Sequence, residues 1–212
     1  MEYCKGNLIN KDLSEYIERV SEMNKKLLIV GAGIYGVVAK EIAESMSCFE
    51  KISFVDDEKK KTQDGIEVVG TTADLDKLAV EYSNIIVAIG NSDARLSLLN
   101  KIEEELPFAI ATLISPKAYI SPSAQIGKAS IIEPMAVVHT GAVISRGCII
   151  SAGAVVNHGS VCEEMCHIDC NAVVGGQCTV PVGTKVCRGE VYKKDAIKTE
   201  NLFFDPQRRA SN

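Results

Sequence analysis

A six-residue rhythm runs without a break from Ile114 to Val191 and constrains the fold of this chain more than any other feature. An α-helix repeats every 3.6 residues and a single strand every two, so neither produces this rhythm, whereas fixed self-similarity is typical of a stacked repeat. If three hexads form one triangular coil, residues 18 apart stack about 4.8 Å from each other, the spacing of neighbouring strands. Every sixth residue would then fill the interior of a prism, and all thirteen of these residues except Cys162 are Ile or Val. The thirteen are Ile114, Ile120, Ile126, Ile132, Val138, Ile144, Ile150, Val156, Cys162, Ile168, Val174, Val180 and Val186.

A prism of a little over four coils is slim, so it exposes flat side faces and sheet edges. Burial of these surfaces against further copies of the chain is the natural remedy. The repeat therefore predicts a closed cyclic homo-oligomer.

The composition is that of an ordinary globular protein, with 46% hydrophobic and 24% charged residues, and 212 residues suffice for two modest domains. There is no apolar run of 18 residues, and the segment from Met1 to Met23 lacks the apolar core of a signal peptide, so we expect a cytoplasmic protein without a membrane partner. A net charge of −5 and short basic clusters argue against a nucleic-acid partner.

Eight cysteines raise the question of disulfides or a metal. Cys148, Cys166 and Cys178 fall four residues after an interior position, where small residues recur and a thiol serves as a compact apolar group. Because no Cys-x-x-Cys pair occurs, we expect buried structural cysteines and no metal.

The first half carries a glycine-rich motif after a buried strand, Lys26–Val30, and before a helical run. Gly31, Gly33 and Gly36 allow a tight turn and close approach of a diphosphate, which the N–H groups and dipole of the helix start would stabilise. A second strand, Lys51–Val55, ends in Asp56 and Asp57, so an acid follows Gly36 by 20 residues.

Further strands and helices alternate up to Ser115-Pro116, the predicted domain boundary. Gly90 and Asn91 follow one strand, and Asn91 or Ser92 is predicted to cap the next helix. The alternation of strands and helices implies a small parallel sheet that binds ligands at the carboxyl ends of its strands. Gly31, Asp56, Gly90 and Asn91 lie at these ends. The predicted elements are helices over 12–23, 73–82 and 93–105, and strands over 66–69, 85–89 and 108–113.

Two histidines lie on outward positions of the repeat. His158 has Thr140 one coil before it and Gly176 one coil after it, and a glycine can bring its N–H close to a reacting oxygen. His167 follows His158 by nine residues, half of an 18-residue coil, and belongs on another face. A site shared by the two histidines is therefore most easily built across a subunit interface.

These features together resemble the sugar O- and N-acetyltransferases typified by the bacillosamine-pathway nucleotide-amino-sugar acetyltransferase and the sialic acid acetyltransferase group. The resemblance covers about residues 26–194. It rests on the hexads, the Gly31–Gly36 motif, Val55-Asp56-Asp57, Ala88-Ile89-Gly90-Asn91 with Arg95, and the spacing from Asn157-His158 to His167.

The resemblance implies an α/β Rossmann-like N-terminal domain followed by an all-β left-handed parallel β-helix of hexapeptide repeats. It also implies a homotrimer with acetyl-CoA bound between adjacent prisms, no metal, and a place in bacterial cell-surface glycan biosynthesis. The domains would be a helical extension (1–25), a nucleotide-sugar-binding domain (26–113), the acetyltransferase domain (114–194) and a tail (195–212).

Residue by residue, the resemblance implies that His158 is the general base, that the Gly176 N–H stabilises the tetrahedral oxyanion, and that His167 lies near the acetyl group. An imidazole that titrates near neutral pH suits removal of a proton from an attacking amine or, less favoured, a hydroxyl. A uridine diphosphate sugar would be held by Gly31, Gly33, Gly36, Asp56, Asp57, Gly90, Asn91 and Arg95.

The chain departs from the family pattern in three places. Gly159 follows the histidine where many relatives have an acid, and Ser151 stands where the bacillosamine-type enzymes carry an Asn near the acceptor. The repeat passes into Tyr192-Lys193-Lys194 about one coil early, and the tail lacks the usual Gly-x-Pro-Ala ending.

Two alternative functions stay open at this point. One is a metal enzyme of the trimeric β-helix carbonic-anhydrase type that uses His139, His158 and His167; the other is a non-catalytic nucleotide-sugar-binding partner of another enzyme, suggested by Gly159. A nicotinamide-dependent dehydrogenase is disfavoured, because only the repeat follows Pro116 and no substrate domain remains.

Overall fold

The computed structural model describes residues 25–62 and 64–193. The helix predicted over 12–23 and the tail 195–212 lie outside the described residues.

The N-terminal half is a five-stranded parallel sheet in the order β3-β2-β1-β4-β5. The central strands are buried on both faces because helices cover both sides. The order reverses at β1, so the carboxyl end of this strand opens into a crevice. The elements are β1 (Lys25–Val30), α1 (Ile34–Met46), β2 (Phe49–Val55), β3 (Val68–Gly70), a 3₁₀ turn (Thr72–Asp74), α2 (Leu75–Leu78), β4 (Asn84–Val87), α3 (Ser92–Glu105) and β5 (Ala109–Ile110).

Two predicted elements differ from the structure. The helix predicted over 73–82 is a 3₁₀ turn followed by one α-helical turn, and Thr71 with Asp74 forms a capping box at its start. The strand predicted over 108–113 is divided: Ala109–Ile110 closes the sheet, whereas Leu113–Ile114 is the first strand of the prism. The repeat therefore begins two residues before the predicted boundary at Ser115-Pro116.

Fourteen two-residue strands then form the three faces of a parallel β-helix. The first face is β6 (Leu113–Ile114), β9 (Ile131–Ile132), β12 (Ile149–Ile150), β15 (His167–Ile168) and β18 (Lys185–Val186). The second face is β7 (Tyr119–Ile120), β10 (Val137–Val138), β13 (Val155–Val156), β16 (Val173–Val174) and β19 (Val191–Tyr192). The third face is β8 (Gln125–Ile126), β11 (Val143–Ile144), β14 (Val161–Cys162) and β17 (Thr179–Val180).

Residues 18 apart are paired throughout the prism, as in Val138↔Val156 and Val156↔Val174. The predicted interior residues form one cluster, fully buried in the middle coils. Cys148, Cys162, Cys166 and Cys178 are buried in that interior, as expected of thiols that serve as small apolar groups.

The N-terminal half packs on the first face of the prism. The outward side chains of Leu113 and Ile131 are buried in the same cluster as residues of β1 and α1. Leu99 of α3 packs with Met165, which lies at the corner between the third and first faces. The first face is therefore covered by the chain's own first half.

Arg95 fastens this junction, which corrects the expectation that it binds a nucleotide sugar. It is 1% exposed. Its Nε donates to the Gly147 carbonyl (3.0 Å), Nη2 to Met165 (2.9 Å) and Nη1 to Ile89 (2.7 Å). A buried guanidinium whose donors are directed to backbone carbonyls is not available to a phosphate.

Replacement of this guanidinium should loosen the junction. We expect Arg95→Met to lower the free energy of unfolding by about 2–3 kcal/mol, because four carbonyl groups, those of Ile89, Gly90, Gly147 and Met165, lose their donor. Urea unfolding measures the change. Arg188→Met, at an exposed arginine of the prism, is the control and should change stability by less than about 0.5 kcal/mol. Equal stability of the two variants would contradict the assigned role of Arg95.

Candidate functional site

His158 lies at the corner between the second and third faces, here called the second corner, which is made of residues 121–124, 139–142, 157–160 and 175–178. In a triangular prism this corner is opposite the first face. The N-terminal half covers the first face, so His158 lies on the far side of the prism from the glycine-rich loop of its own chain.

The side chain of Asn157 fixes the chemical state of His158. Oδ1 of Asn157 accepts from the backbone N–H of His158 at 2.8 Å and lies 2.8 Å from Nδ1 of the ring. A backbone N–H can only donate, so the amide atom at this position is the oxygen. The ring nitrogen facing an oxygen must carry the hydrogen, which leaves the lone pair on Nε2.

Gly176 lies against the open side of this ring. A Cβ at position 176 would stand 2.9 Å from Nε2 and 2.7 Å from Cε1 of His158, so any side chain there would collide with the imidazole. The absence of a side chain keeps the space in front of Nε2 open.

The backbone N–H of Gly176 is also available, for a reason that recurs along the second corner. The side chains of His139 and Asn157 each accept from the N–H of the next residue. The equivalent position one coil on is Gly175, which has no side chain. In the described part of the chain, Gly176 N–H donates to no backbone carbonyl. An exposed N–H donor thus lies beside an exposed imidazole nitrogen.

His139 stands one coil before Asn157, and its ring meets that of His158 edge-on with centroids 6.3 Å apart. Its Nδ1 accepts from Thr140 N–H at 2.9 Å.

His167 belongs to β15 and points outward from the first face. Its Nε2 lies 3.1 Å from Oγ of Ser151, a buried residue one coil earlier. Burial, aided by the positive charge of Lys185, lowers the pKa of His167 from 6.5 to about 4. At neutral pH this ring is uncharged. The structure therefore brings Ser151 and His167 together and keeps both away from His158 of the same chain.

Two of the three motif glycines have conformational roles. Gly31 has φ +109°, and a Cβ there would stand 2.9 Å from the Ala88 carbonyl oxygen; a Cβ at Gly36 would overlap the carbonyl of Gly31. Gly33 is different, since it caps the start of α1 with no side-chain partner and no acid in the first turn. The nearest atom to a Cβ at Gly33 is Nζ of Lys59, at 3.6 Å. The helix start and an exposed ammonium group together suit an anion.

The two acids after β2 hold the backbone of this region. Oδ2 of Asp56 accepts from Ala32 N–H at 2.7 Å, and Oδ1 accepts from the N–H groups of Glu58 and Lys59. Partial burial opposes ionisation, yet these three donors leave the pKa of Asp56 below its ordinary value. Asp57 accepts from both the N–H and the hydroxyl of Thr72. The acids shape the loop that surrounds Gly33.

Asn91 caps α3, as predicted, by accepting from Ala94 N–H at 2.9 Å. Gly90 lies beside it at the carboxyl end of β4, and a Cβ there would meet no other atom within 4 Å. Open space therefore lies beside Gly90.

Two residues that the structure makes prominent have no role predicted from the sequence. Asn157 immediately precedes the histidine, and that adjacency was the only available signal. Lys59 belongs to a run of three lysines, which in sequence resembles an ordinary solvated surface.

Among the described residues, no group of three His, Cys, Asp or Glu side chains is placed to hold a metal ion. Within the same ranges, the helices are too short or too polar to cross a membrane.

Residues 26–102 match the family described as the PglD N-terminal domain. The search of curated proteins gives no match. Among solved structures, the acetyltransferase domain of PglB from Neisseria gonorrhoeae is 32% identical, with 80% of this chain and 92% of that chain covered and a TM-score of 0.73. The same domain in complex with acetyl coenzyme A is 32% identical, with coverages of 79% and 84% and a TM-score of 0.69.

PerB from Caulobacter crescentus, in complex with CoA and GDP-perosamine, is 22% identical, with 79% of this chain and 91% of that chain covered and a TM-score of 0.59, which shows a shared fold. The predicted fold class, a Rossmann-like domain followed by a left-handed parallel β-helix, is confirmed. The identity to the PglB domain, over nearly all of that domain, shows the family as well. This chain belongs to the bacillosamine-pathway type of sugar acetyltransferases, the hexapeptide-repeat acyltransferases with an N-terminal Rossmann-like domain.

Proposed function

We propose that the protein transfers the acetyl group of acetyl-CoA to an amino group of a nucleotide-linked sugar, with His158 as the general base. The observation that carries this proposal is the pairing at the second corner. His158 and Gly176 are both exposed, a Cβ on Gly176 would lie 2.9 Å from Nε2 of His158, and the Gly176 N–H donates to no backbone carbonyl of the described residues.

The relatives support the donor and the kind of acceptor. The PglB domain binds acetyl coenzyme A, and PerB, which shares the fold, binds CoA together with the nucleotide sugar GDP-perosamine. A primary amine suits a single imidazole base better than a hydroxyl, because a neutral amine is the stronger nucleophile and can attack before its proton is removed.

The reaction needs no covalent enzyme intermediate. The amine nitrogen attacks the thioester carbonyl carbon, a C–N bond forms, and Nε2 of His158 takes the proton from nitrogen. The carbonyl oxygen becomes an oxyanion, which the Gly176 N–H stabilises. When the tetrahedral species collapses, the C–S bond breaks, and the imidazolium returns its proton to the departing thiolate, so His158 is neutral again.

The nucleotide part of the acceptor would bind at the glycine-rich loop. Gly33 presents the uncapped N-terminus of α1, Lys59 adds a positive charge, and Gly90 leaves space across the crevice. These groups suit a diphosphate, and the alignment of Asp56 and Asp57 with backbone donors keeps the loop in shape.

We further propose a homotrimer in which each site is shared by two chains. The outward side chains of the second face are apolar and uncovered: Tyr119, Val137, Val155, Val173 and Val191. On the third face Val143 and Val161 are apolar, whereas Gln125 and Thr179 at its two ends are polar. The two faces meet at the second corner, so a neighbour packed there would lie beside His158. The second face of one chain would contact the third face of the next, and with a three-fold rotation this contact closes as a ring.

In this arrangement His167 comes from the neighbouring chain and lies near the acetyl group. Its ring is neutral at pH 7, so it can hydrogen bond to a bound ligand without adding charge. Ser151 holds its Nε2.

Loss of the base should abolish transfer. We expect His158→Gln to lower kcat by about 10²–10⁴-fold, measured as free thiol released from acetyl-CoA with a panel of nucleotide-amino sugars. Lys77→Gln, at an exposed lysine of α2 in the N-terminal half, is the control and should retain the wild-type rate. A wild-type rate in His158→Gln would contradict the proposed base. No thiol release from the wild-type protein with any acceptor would favour a binding partner, and stoichiometric zinc in the purified protein would favour the metal enzyme.

The neutral ring of His167 should be visible in the pH dependence of stability. The pKa of His167 in the folded protein, about 4, is below its ordinary value of 6.5. Its contribution to the free energy of unfolding is therefore complete above pH 6.5 and is lost as the pH falls from 6.5 to 4. Between pH 7 and pH 4 the free energy of unfolding of His167→Gln should therefore fall by about 1–2 kcal/mol less than that of the wild-type protein. The difference is kept this small because solvent screens a partly exposed ring. Urea midpoints at several pH values measure this, and parallel curves would contradict it.

A further inference from the structure

We propose that Asn157 is a positioning residue that holds His158 in the Nδ1–H form, in the place of the acid that is missing at Gly159. The inference rests on the proposed role of His158 as base. It concerns how a neutral side chain on the opposite side of the histidine can prepare the ring for that role.

The hydrogen-bond geometry leaves one arrangement. Oδ1 of Asn157 receives the backbone N–H of His158 and faces Nδ1 of the same ring, both at 2.8 Å. The backbone N–H sets the orientation of the Asn157 amide, and the amide oxygen places the ring hydrogen on Nδ1. The lone pair on Nε2 is then left on the side of Gly176. Free imidazole side chains favour the opposite tautomer, with the hydrogen on Nε2, which could not accept a proton from an amine at that atom.

Gly159, the residue after the histidine, cannot orient the imidazole ring. Gly159 has φ +62° and no side chain, and its N–H is donated to the carbonyl of Thr140 at 2.9 Å. In the described structure the ring of His158 is hydrogen bonded to Asn157 and to no carboxylate.

Asn157 also caps the turn, and this ordinary role must be separated from positioning. His139 caps Thr140 and Asp169 caps Cys170 in the same way. Asn157 alone among these three adds a second contact, to the ring of the residue that it caps. A cap needs only an acceptor at position 157, whereas positioning without added charge needs an amide oxygen.

The choice of an amide has a chemical consequence. A carboxylate would stabilise the imidazolium by charge, whereas an amide oxygen accepts the same hydrogen bond with only a partial charge. Asn157→Asp preserves both the cap and the ring contact. It should move the acidic limb of the kcat/KM profile to higher pH by about one unit.

The experiment compares Asn157→Ala, Asn157→Asp and Asn84→Asp with the wild-type protein. We expect Asn157→Ala to lower kcat by about 10–100-fold while KM for both substrates changes little. Asn84→Asp makes the same amide-to-acid change at the start of β4 in the N-terminal half, far from the second corner, and should leave the profile close to wild type. Thermal unfolding of the same variants measures the stability that is lost with the cap, so that this loss can be separated from the changes in kcat and in the pH profile.

A second readout does not depend on activity. The chain has three histidines, so ¹⁵N chemical shifts of the imidazole rings can be assigned with His139→Gln and His167→Gln. The ring of His158 should be in the Nδ1–H form in wild type and should shift toward the Nε2–H form in Asn157→Ala.

Three results would overturn the inference: wild-type kcat in Asn157→Ala, equal profile shifts in Asn157→Asp and Asn84→Asp, or an unchanged tautomer in Asn157→Ala. If these occur while His158→Gln is inactive, the positioning role fails and the base stands. If His158→Gln is fully active, the proposed function fails as well.

Discussion

The pairing of each residue with the one 18 positions later is the constraint on which the rest of the molecule depends. β-Branched side chains at every sixth position fill the interior, and parallel hydrogen bonds hold successive coils in register. A fixed register brings residues that are far apart in sequence into one column. His158 and Gly176 meet for this reason, and the column also explains why Gly175 leaves the next N–H uncapped while Asn157 caps its own neighbour.

The covered first face determines where a ligand site can form. Arg95 and the α3 contacts fasten the N-terminal half over that face, so the glycine-rich loop and His158 of one chain lie on opposite sides of the prism. The apolar second face and the third face, which is apolar in its middle coils, remain uncovered and meet at the corner of His158. A second copy is the partner that would bury them and bring its own loop and His167 to this corner.

The sequence predicted most of the fold, because a hexad with Ile or Val at one position permits few other structures. It also predicted the stacking of His158 and Gly176 from arithmetic alone. Side-chain direction was not predictable: Arg95 follows a glycine-rich loop and suits a phosphate in sequence, yet it points to carbonyls of the prism. The role of Asn157 depends on one rotamer, and the proximity of Lys59 to Gly33 depends on how Asp56 folds its loop.

Complementation between two inactive variants tests most directly the claim that each site is shared by two chains. Gly33→Leu blocks the nucleotide loop, and its backbone tolerates a side chain, since a Cβ there meets only Lys59; His158→Gln removes the base. The two variants would be co-expressed with different tags, and oligomers that carry both tags purified. In a three-chain ring that carries both tags, one of the three sites unites an intact histidine with an intact loop, so about a third of wild-type activity should return. Mixed oligomers as inactive as either variant alone would contradict the shared site.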